Sequence, residues 1–274
     1  MKINLPEIFT AETSKKYILS IRLYAGGLSF SGSIPKEKNS FFYRETTFDK
    51  LKDYESSIKE FFFENECFCW VYKKINIVCF THKYTFMPED IFDSGKIDSV
   101  MNFLFMKAET KNLDNVLQSV SGRILFGLDK SVYEFMSRSF VNPSFIHHMT
   151  PIINLWAKQA NESLSGKMYV SINKKTIDVA CFKEEKLVFL NSFEYSKPDD
   201  VLYIIACIWT QTRLDQLKDN LFIGGNYSFL KTLTDNLRTY IQHVNTMELP
   251  SEAYLMGDDV AKANFDIIAL SLCE

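Results

Sequence analysis

The same succession of elements is written twice along this chain, and a duplicated chain is expected to fold as two similar lobes rather than around one enlarged core. In the first half, Tyr17 to Leu23 is apolar and β-like, Ala25-Gly26-Gly27 marks a turn, and Leu28 to Ser31 alternates apolar with polar residues. Together these predict a hairpin. Phe41-Phe42-Tyr43 predicts a third strand, Phe48 to Phe63 carries helical spacing at Leu51, Tyr54, Ile58 and Phe61-Phe62, and Ile75 to Phe80 returns to strand. The second half repeats the order: strands at Met168 to Ile172, Thr176 to Phe182 and Leu187 to Leu190, a helix from about Asp199 to Leu214, and a strand at Leu221 to Ile223. Ser20-Ile21 and Ser171-Ile172 then hold equivalent places.

Three antiparallel strands followed by a helix and a returning strand form the core of a ribonuclease H-like lobe. Two in tandem predict an α/β fold of actin-like ATPase (ASKHA) architecture, with mixed five-stranded sheets and helices facing a cleft. Between the copies, Asn115 to Ser121 and Arg123 to Leu128 predict a strand pair and Asp129 to Phe140 a helix capped by Asp129. Phe145 to His148 reads as a further strand, and Thr150 to Leu164 as the helix linking the lobes, with Thr150 as its N-cap and Pro151 at its first position. The expected boundary falls at Ser165-Gly166. It gives an N-terminal lobe over 1–165, carrying an inserted or appended strand-helix subdomain, and a C-terminal lobe over 166–274.

With 274 residues, each half is long enough to bury its own core. The net charge of −3 lacks the positive excess that drives phosphate-backbone binding, so nucleic acid is not an expected partner. The six cysteines lie in apolar runs, which predicts reduced, buried thiols and a cytoplasmic protein. The first ten residues hold no apolar core of signal-peptide length, being interrupted by Pro6 and Glu7. Val201 to Trp209, the most apolar stretch, is about half of the ~20 residues a membrane span needs, so it reads as a buried helix and no membrane insertion is expected.

On this element order and a few local patterns, the chain resembles over essentially its whole length an uncharacterised bacterial family typical of Bacteroidetes, a domain of unknown function with an actin-like ATPase fold. More distantly it is similar to pilus-assembly and cell-division actin-like proteins, which bind other proteins as platforms. The resemblance implies a nucleotide gripped by two hairpins, each beginning Asp-hydrophobic-Gly: the Asp holds the magnesium shell and the Gly lets backbone approach phosphate. Here the first hairpin, Leu19-Ser20-Ile21-Arg22, has Ser20 in place of the Asp and Arg22 in place of the Gly. The second, Val170-Ser171-Ile172-Asn173, has Ser171 and Asn173. A neutral hydroxyl does not supply the anionic oxygen Mg²⁺ prefers. ATP with magnesium is therefore disfavoured, no cofactor is expected, and two-metal nuclease chemistry falls with the same carboxylates.

One patch resembles the adenosine-contacting turn of such ATPases: Gly224-Gly225-Asn226 after the strand Leu221 to Ile223. The plainer reading, and the favoured one, is a tight strand-to-helix turn that needs positive φ. Arg22, Gly26 and Gly27, with Lys174 and Lys175, could hold an anion without metal, or serve as ordinary hairpin turns and solvated tips.

The remaining constellations are weaker. Cys67 and Cys69, read as strand residues, would point to one face as buried thiols, and no second Cys or His pair lies at zinc-finger spacing. His147 and His148 would point to opposite faces, one interior and one exposed. Asp258 and Asp259 read as caps of a helix, Asp178 as a solvated residue on its strand, and nothing supports a Ser-His-Asp or Cys-His arrangement. The expected function is a non-catalytic, pseudo-ATPase scaffold that binds another protein. The alternatives are a divergent kinase or ATPase drawing acids from Asp258 or Asp259, and a sensor of a small anionic ligand.

Overall fold

A computed structural model of the protein describes residues 3–106, 109–161, 165–225 and 227–274. The chain divides into two compact units. The first contains Met1–Val116, Arg123–Ile152 and Pro250–Glu274; the second contains Leu117–Gly122 and Ile153–Leu249.

In the first unit, strands β1 (Ile18–Tyr24), β2 (Gly27–Ser33) and β3 (Phe42–Thr47) precede helix α1 (Tyr54–Glu64) and strand β4 (Lys74–Cys79). Strands β5 (Tyr84–Pro88), β6 (Thr110–Leu117) and β7 (Gly122–Asp129), with helices α2 (Ile97–Phe105) and α3 (Lys130–Ser139), form the added subdomain. Its three strands run in the order β5-β7-β6. Asp129 caps α3 through Ser131 N at 2.9 Å and Val132 N at 3.2 Å. Strand β8 (Ser144–His147) then completes a five-stranded sheet in the order β3-β2-β1-β4-β8.

Helix α4 (Met149–Ala160) leads to the second sheet. There β9 (Lys167–Ile172), β10 (Thr176–Lys183) and β11 (Lys186–Glu194) precede α5 (Pro198–Gln211), β12 (Asn220–Gly224), α6 (Leu230–Leu237) and β13 (His243–Thr246). The order β11-β10-β9-β12-β13 reproduces that of the first sheet. In both, the first two strands pair antiparallel and the returning strand joins the first in parallel. Helices α7 (Ser251–Tyr254) and α8 (Phe265–Cys273) close the chain.

Each sheet is buried because helices cover it. The apolar side of α5, Val201, Ile205, Ile208 and Trp209, follows helical spacing and packs with Met168, Val170 and Ile172 of β9. On the opposite face, Trp156 of α4 stacks on Tyr169 (5.3 Å), which stacks on Phe222 (5.0 Å). Trp156 also donates its Nε1–H to Met247 Sδ at 3.1 Å. The first unit uses its phenylalanines similarly: Phe62 lies flat on Phe68 at 4.2 Å, and Phe68 meets Phe30 edge-on.

Several expectations change. Residues 250–274, read from sequence as part of the C-terminal lobe, belong to the first unit, because α8 packs against β1 and β4 there. Thr150 is inside α4 rather than its N-cap, its hydroxyl held by Asn115 Oδ1 at 3.0 Å. The expected last turn of that helix, 162–164, lies outside the described residues. Cys67 and Cys69 sit on a 3₁₀ turn, Glu66–Cys69, so one is buried and the other exposed. Cys207 and Cys273 are exposed as well, and none of the six cysteines is in a disulfide. His147 and His148 are both fully buried: His148 falls in the turn after β8, so strand alternation does not apply, and the two rings lie 4.4 Å apart.

Burial, and then the neighbouring His148, push the His147 pKa well below the usual imidazole value. Its ring stays neutral, with Nε2 3.0 Å from Thr81 O and Nδ1 accepting from Met149 N. A base with a depressed folded-state pKa binds its proton more readily when unfolded, so this residue costs stability as pH falls below about 6.5. Denaturant titrations between pH 7.5 and pH 5 should show stability declining by up to about 1.4 kcal/mol per pH unit from this group. His147→Gln should flatten the decline.

Candidate functional site

The sequence places a ligand-binding expectation on two hairpins and one turn, and each can be located within its own unit. In the first unit Ser20 and Arg22 lie on β1, two residues apart and therefore on one face. That face is closed by α8. Arg22 Nε donates to Asp266 Oδ2 at 2.6 Å, with both side chains about as buried as core residues, 6% and 3% exposed. The guanidinium also lies 4.2 Å from the Phe80 ring centroid. A planar cation with one carboxylate and an aromatic face is consumed by those contacts. It is not displayed toward an incoming phosphate.

Ser20 is drawn into the same face. Asn76, paired with it across β1 and β4, donates from Nδ2 to Ser20 Oγ at 3.3 Å and to Glu274 Oε1 at 2.9 Å, and Lys74 Nζ reaches the same Glu274 oxygen at 2.7 Å. So carboxylates do stand near this strand, but they come from α8 and the residue that follows it, and are matched by Arg22 and Lys74. Gly26 adopts φ +85°, and a Cβ on Gly27 would lie 2.4 Å from Thr46 O. Gly26 answers to the turn itself and Gly27 to the close approach of β3.

In the second unit the structure gathers most of the remaining candidates. Ser171 on β9 pairs with Asp178 on β10 and with Gly224 on β12. Asn173 donates from Nδ2 to Asp178 Oδ2 at 2.8 Å, and Ser192 of β11 donates its hydroxyl to Asp178 Oδ1 at 2.5 Å. Asp178 is buried, not solvated as its strand alternation suggests, because β11 and the hairpin end close over it. Lys174 and Lys175 occupy the exposed tip. Gly225 has φ +137°, and a Cβ there would sit 2.9 Å from Ile172 O. The turn thus needs glycine for conformation and for close approach to β9. Helix α6 begins only at Leu230, so the two glycines do not open directly onto a helix N-terminus. Asn226 lies outside the described residues.

Asp258 and Asp259 occupy the first turn of a 3₁₀ helix, Asp258–Lys262. Burial opposes ionisation of Asp259, but Lys262, Arg44 and the Tyr43 N–H outweigh it and hold the carboxyl below the usual range. Its charge is engaged beside β3, and Asp258 is exposed. Among the described residues no group of three or more His, Cys, Asp or Glu could hold a metal ion, and no helix is long and apolar enough to cross a membrane.

The model of a family described as a protein of unknown function, DUF3822, matches residues 6–244. The chain belongs to this family. Its fold is that of the actin-like ATPases. A Bacteroides thetaiotaomicron protein with an actin-like ATPase fold and unknown function is 28% identical, with a TM-score of 0.83 over 97% of this chain and 99% of that one. The PilM-PilN type IV pilus biogenesis complex matches at 10% identity and a TM-score of 0.53, over 93% of this chain and 96% of that one. No curated protein matches the sequence.

Asp266, Glu274, Asn76 and Ser192 are the site-shaping residues that sequence reasoning passed over, and Asp178 is one that it reads as solvated. Asp266 is 244 positions from Arg22, and no local pattern links them. In urea titrations, Arg22→Met or Asp266→Leu alone should lower unfolding free energy by about 3–5 kcal/mol, since either leaves a buried charge unmatched. The double variant should lose much less, giving a large coupling in a double-mutant cycle.

Proposed function

We propose that this DUF3822 protein is a non-catalytic, pseudo-ATPase module of actin-like fold that acts in the cytoplasm by binding another protein. The observation that carries this reading is the state of the two hairpins. Where a nucleotide-binding relative would leave room for phosphate and a metal-holding acid, Arg22 is locked to Asp266 and Asn173 is locked to Asp178. These are intramolecular bonds that any phosphate would have to displace, at the cost of a buried charge pair on the first strand.

Two further features support binding of protein. Helix α2 exposes Phe103 (87%), Leu104 (47%) and Met106 just beyond its end (85%), an apolar surface of the kind that marks interaction sites. PilM, at the fold level alone, is found in a complex with PilN. Cysteines held outside disulfides fit a reducing compartment.

One observation favours a second reading. Asp178 is a buried carboxylate directly across from Ser171, so an acid could have moved from β9 to β10 while the chain kept a nucleotide.

A thermal-shift series with ATP, ADP, sugar phosphates and inorganic phosphate, each with and without Mg²⁺, separates these. Specific binding at about a hundred times Kd adds about 2.7 kcal/mol of stability. The proposal expects no rise with any of them. A magnesium-dependent rise with ATP, lost in Asp178→Asn, would establish the second reading instead. A rise without metal, lost in Lys174→Ala, would establish an anion sensor.

A further inference from the structure

Helix α2 is apolar along most of its length, yet Met101 alone among its residues is buried. So short a helix draws too little from its own hydrogen bonds to persist in water and depends on packing. Its bed offers little apolar surface: Met101 shares a small hollow with Thr110, Asn112 and Gly127 of β6 and β7, and Asp98 accepts from Asn112 Nδ2 at 2.9 Å.

The other apolar side chains of α2 are left partly or largely in water. Val100, Phe103 and Leu104 stand at i, i+3 and i+4, so they form one stripe along the helix. Val100 is half-buried, and Phe103 and Leu104 are exposed. Met106, just past the helix, is exposed too and sits at φ +55°, a conformation that costs about 1–3 kcal/mol in a residue with a side chain.

Charge beside the stripe indicates the chemistry that would cover it. Residues 89–98, the approach to α2 and its first turn, carry four carboxylates, Glu89, Asp90, Asp93 and Asp98, against one lysine, Lys96, and all five are exposed. Arg123 matches Glu89 and Lys96 matches Asp93. The negative surplus therefore rests on Asp90 and on Asp98, which is met by a neutral amide. An apolar stripe with an acidic end suits a helix that is apolar on one side and cationic at the end lying over residues 89–98. An anionic bilayer would be repelled by the same carboxylates.

We propose that α2 is the docking surface for a basic amphipathic helix of another protein, laid along Val100, Phe103 and Leu104 with its cationic end at residues 89–98. This rests on the proposed role in binding protein, and it gives that role a place and a partner chemistry.

Fluorescence anisotropy of two labelled model peptides with the full chain tests it. One peptide, of about 18 residues, has leucines on one helical face and lysines on the other; its counterpart has glutamates in place of the lysines. At about 0.15 M salt the lysine peptide should bind with a Kd in the tens of micromolar, and the glutamate peptide roughly tenfold more weakly or worse. Phe103→Ser with Leu104→Ser, both at the surface, should weaken the lysine peptide by about tenfold or more with the circular dichroism unchanged. Asp90→Lys with Asp93→Lys should remove the preference for lysine over glutamate. Equal binding of the two peptides by the wild type, binding indifferent to the Phe103 and Leu104 pair, or a preference indifferent to the Asp90 and Asp93 pair would overturn the proposal. So would association of the chain with itself, or with vesicles of anionic lipid, that the Phe103 and Leu104 pair abolishes, since α2 would then serve a second copy or a membrane. The pseudo-ATPase reading is decided separately, by the thermal-shift series with nucleotides.

Discussion

A guanidinium inside a protein must be matched by an anion, because an unpaired buried charge costs several kcal/mol. In this chain that requirement ties the beginning of the fold to its end. Arg22 on β1 takes Asp266 from α8, and this contact, with Glu274 on Asn76 and Lys74, fixes the closing helix on the first sheet. The position of Asp266 in the first turn of α8 adds the favourable end of the helix dipole to the same carboxylate. Once α8 is placed, residues 255–259 are carried along the edge of β3, and Asp259 can meet Arg44. The composition of the first unit, with its C-terminal segment, follows from one buried pair.

The second unit buries a carboxylate of its own, that of Asp178. That carboxylate is held by Asn173 and Ser192, the first from the end of the hairpin strand and the second from the neighbouring edge strand. In both units the residue two places after the equivalent serine is occupied in binding a carboxylate of its own unit. The duplication therefore persists in backbone order and in the use of these positions, while the acids themselves stand elsewhere. Fold similarity preserves the scaffold; the chemistry belongs to particular residues.

Much of the fold was legible because it rests on local signals. The Gly26-Gly27 turn, the alternation of Leu28 to Ser31 and the spacing of Val201, Ile205 and Trp209 each act over a few residues, and they recur in the same order in both halves. What escaped depends on distant partners or on where a strand gives way to a turn. Asp178 alternates like a solvated residue and is buried by β11; His148 follows a strand but lies in the turn after it; Cys69 leaves the strand pattern on a 3₁₀ turn. The missing acids at Ser20 and Ser171 were readable in the sequence. That Arg22 is spent on α8 was not, since its partner comes from the far end of the chain.

On the proposed function, the hairpin side chains are committed within the protein and a nucleotide finds no place there. A crystal structure grown with millimolar ATP and Mg²⁺ tests it most directly. Arg22 should remain bonded to Asp266 and Asn173 to Asp178, with no phosphate at either hairpin. Ordered phosphates against residues 20–27 or 171–174, with either bond broken to admit them, would contradict it.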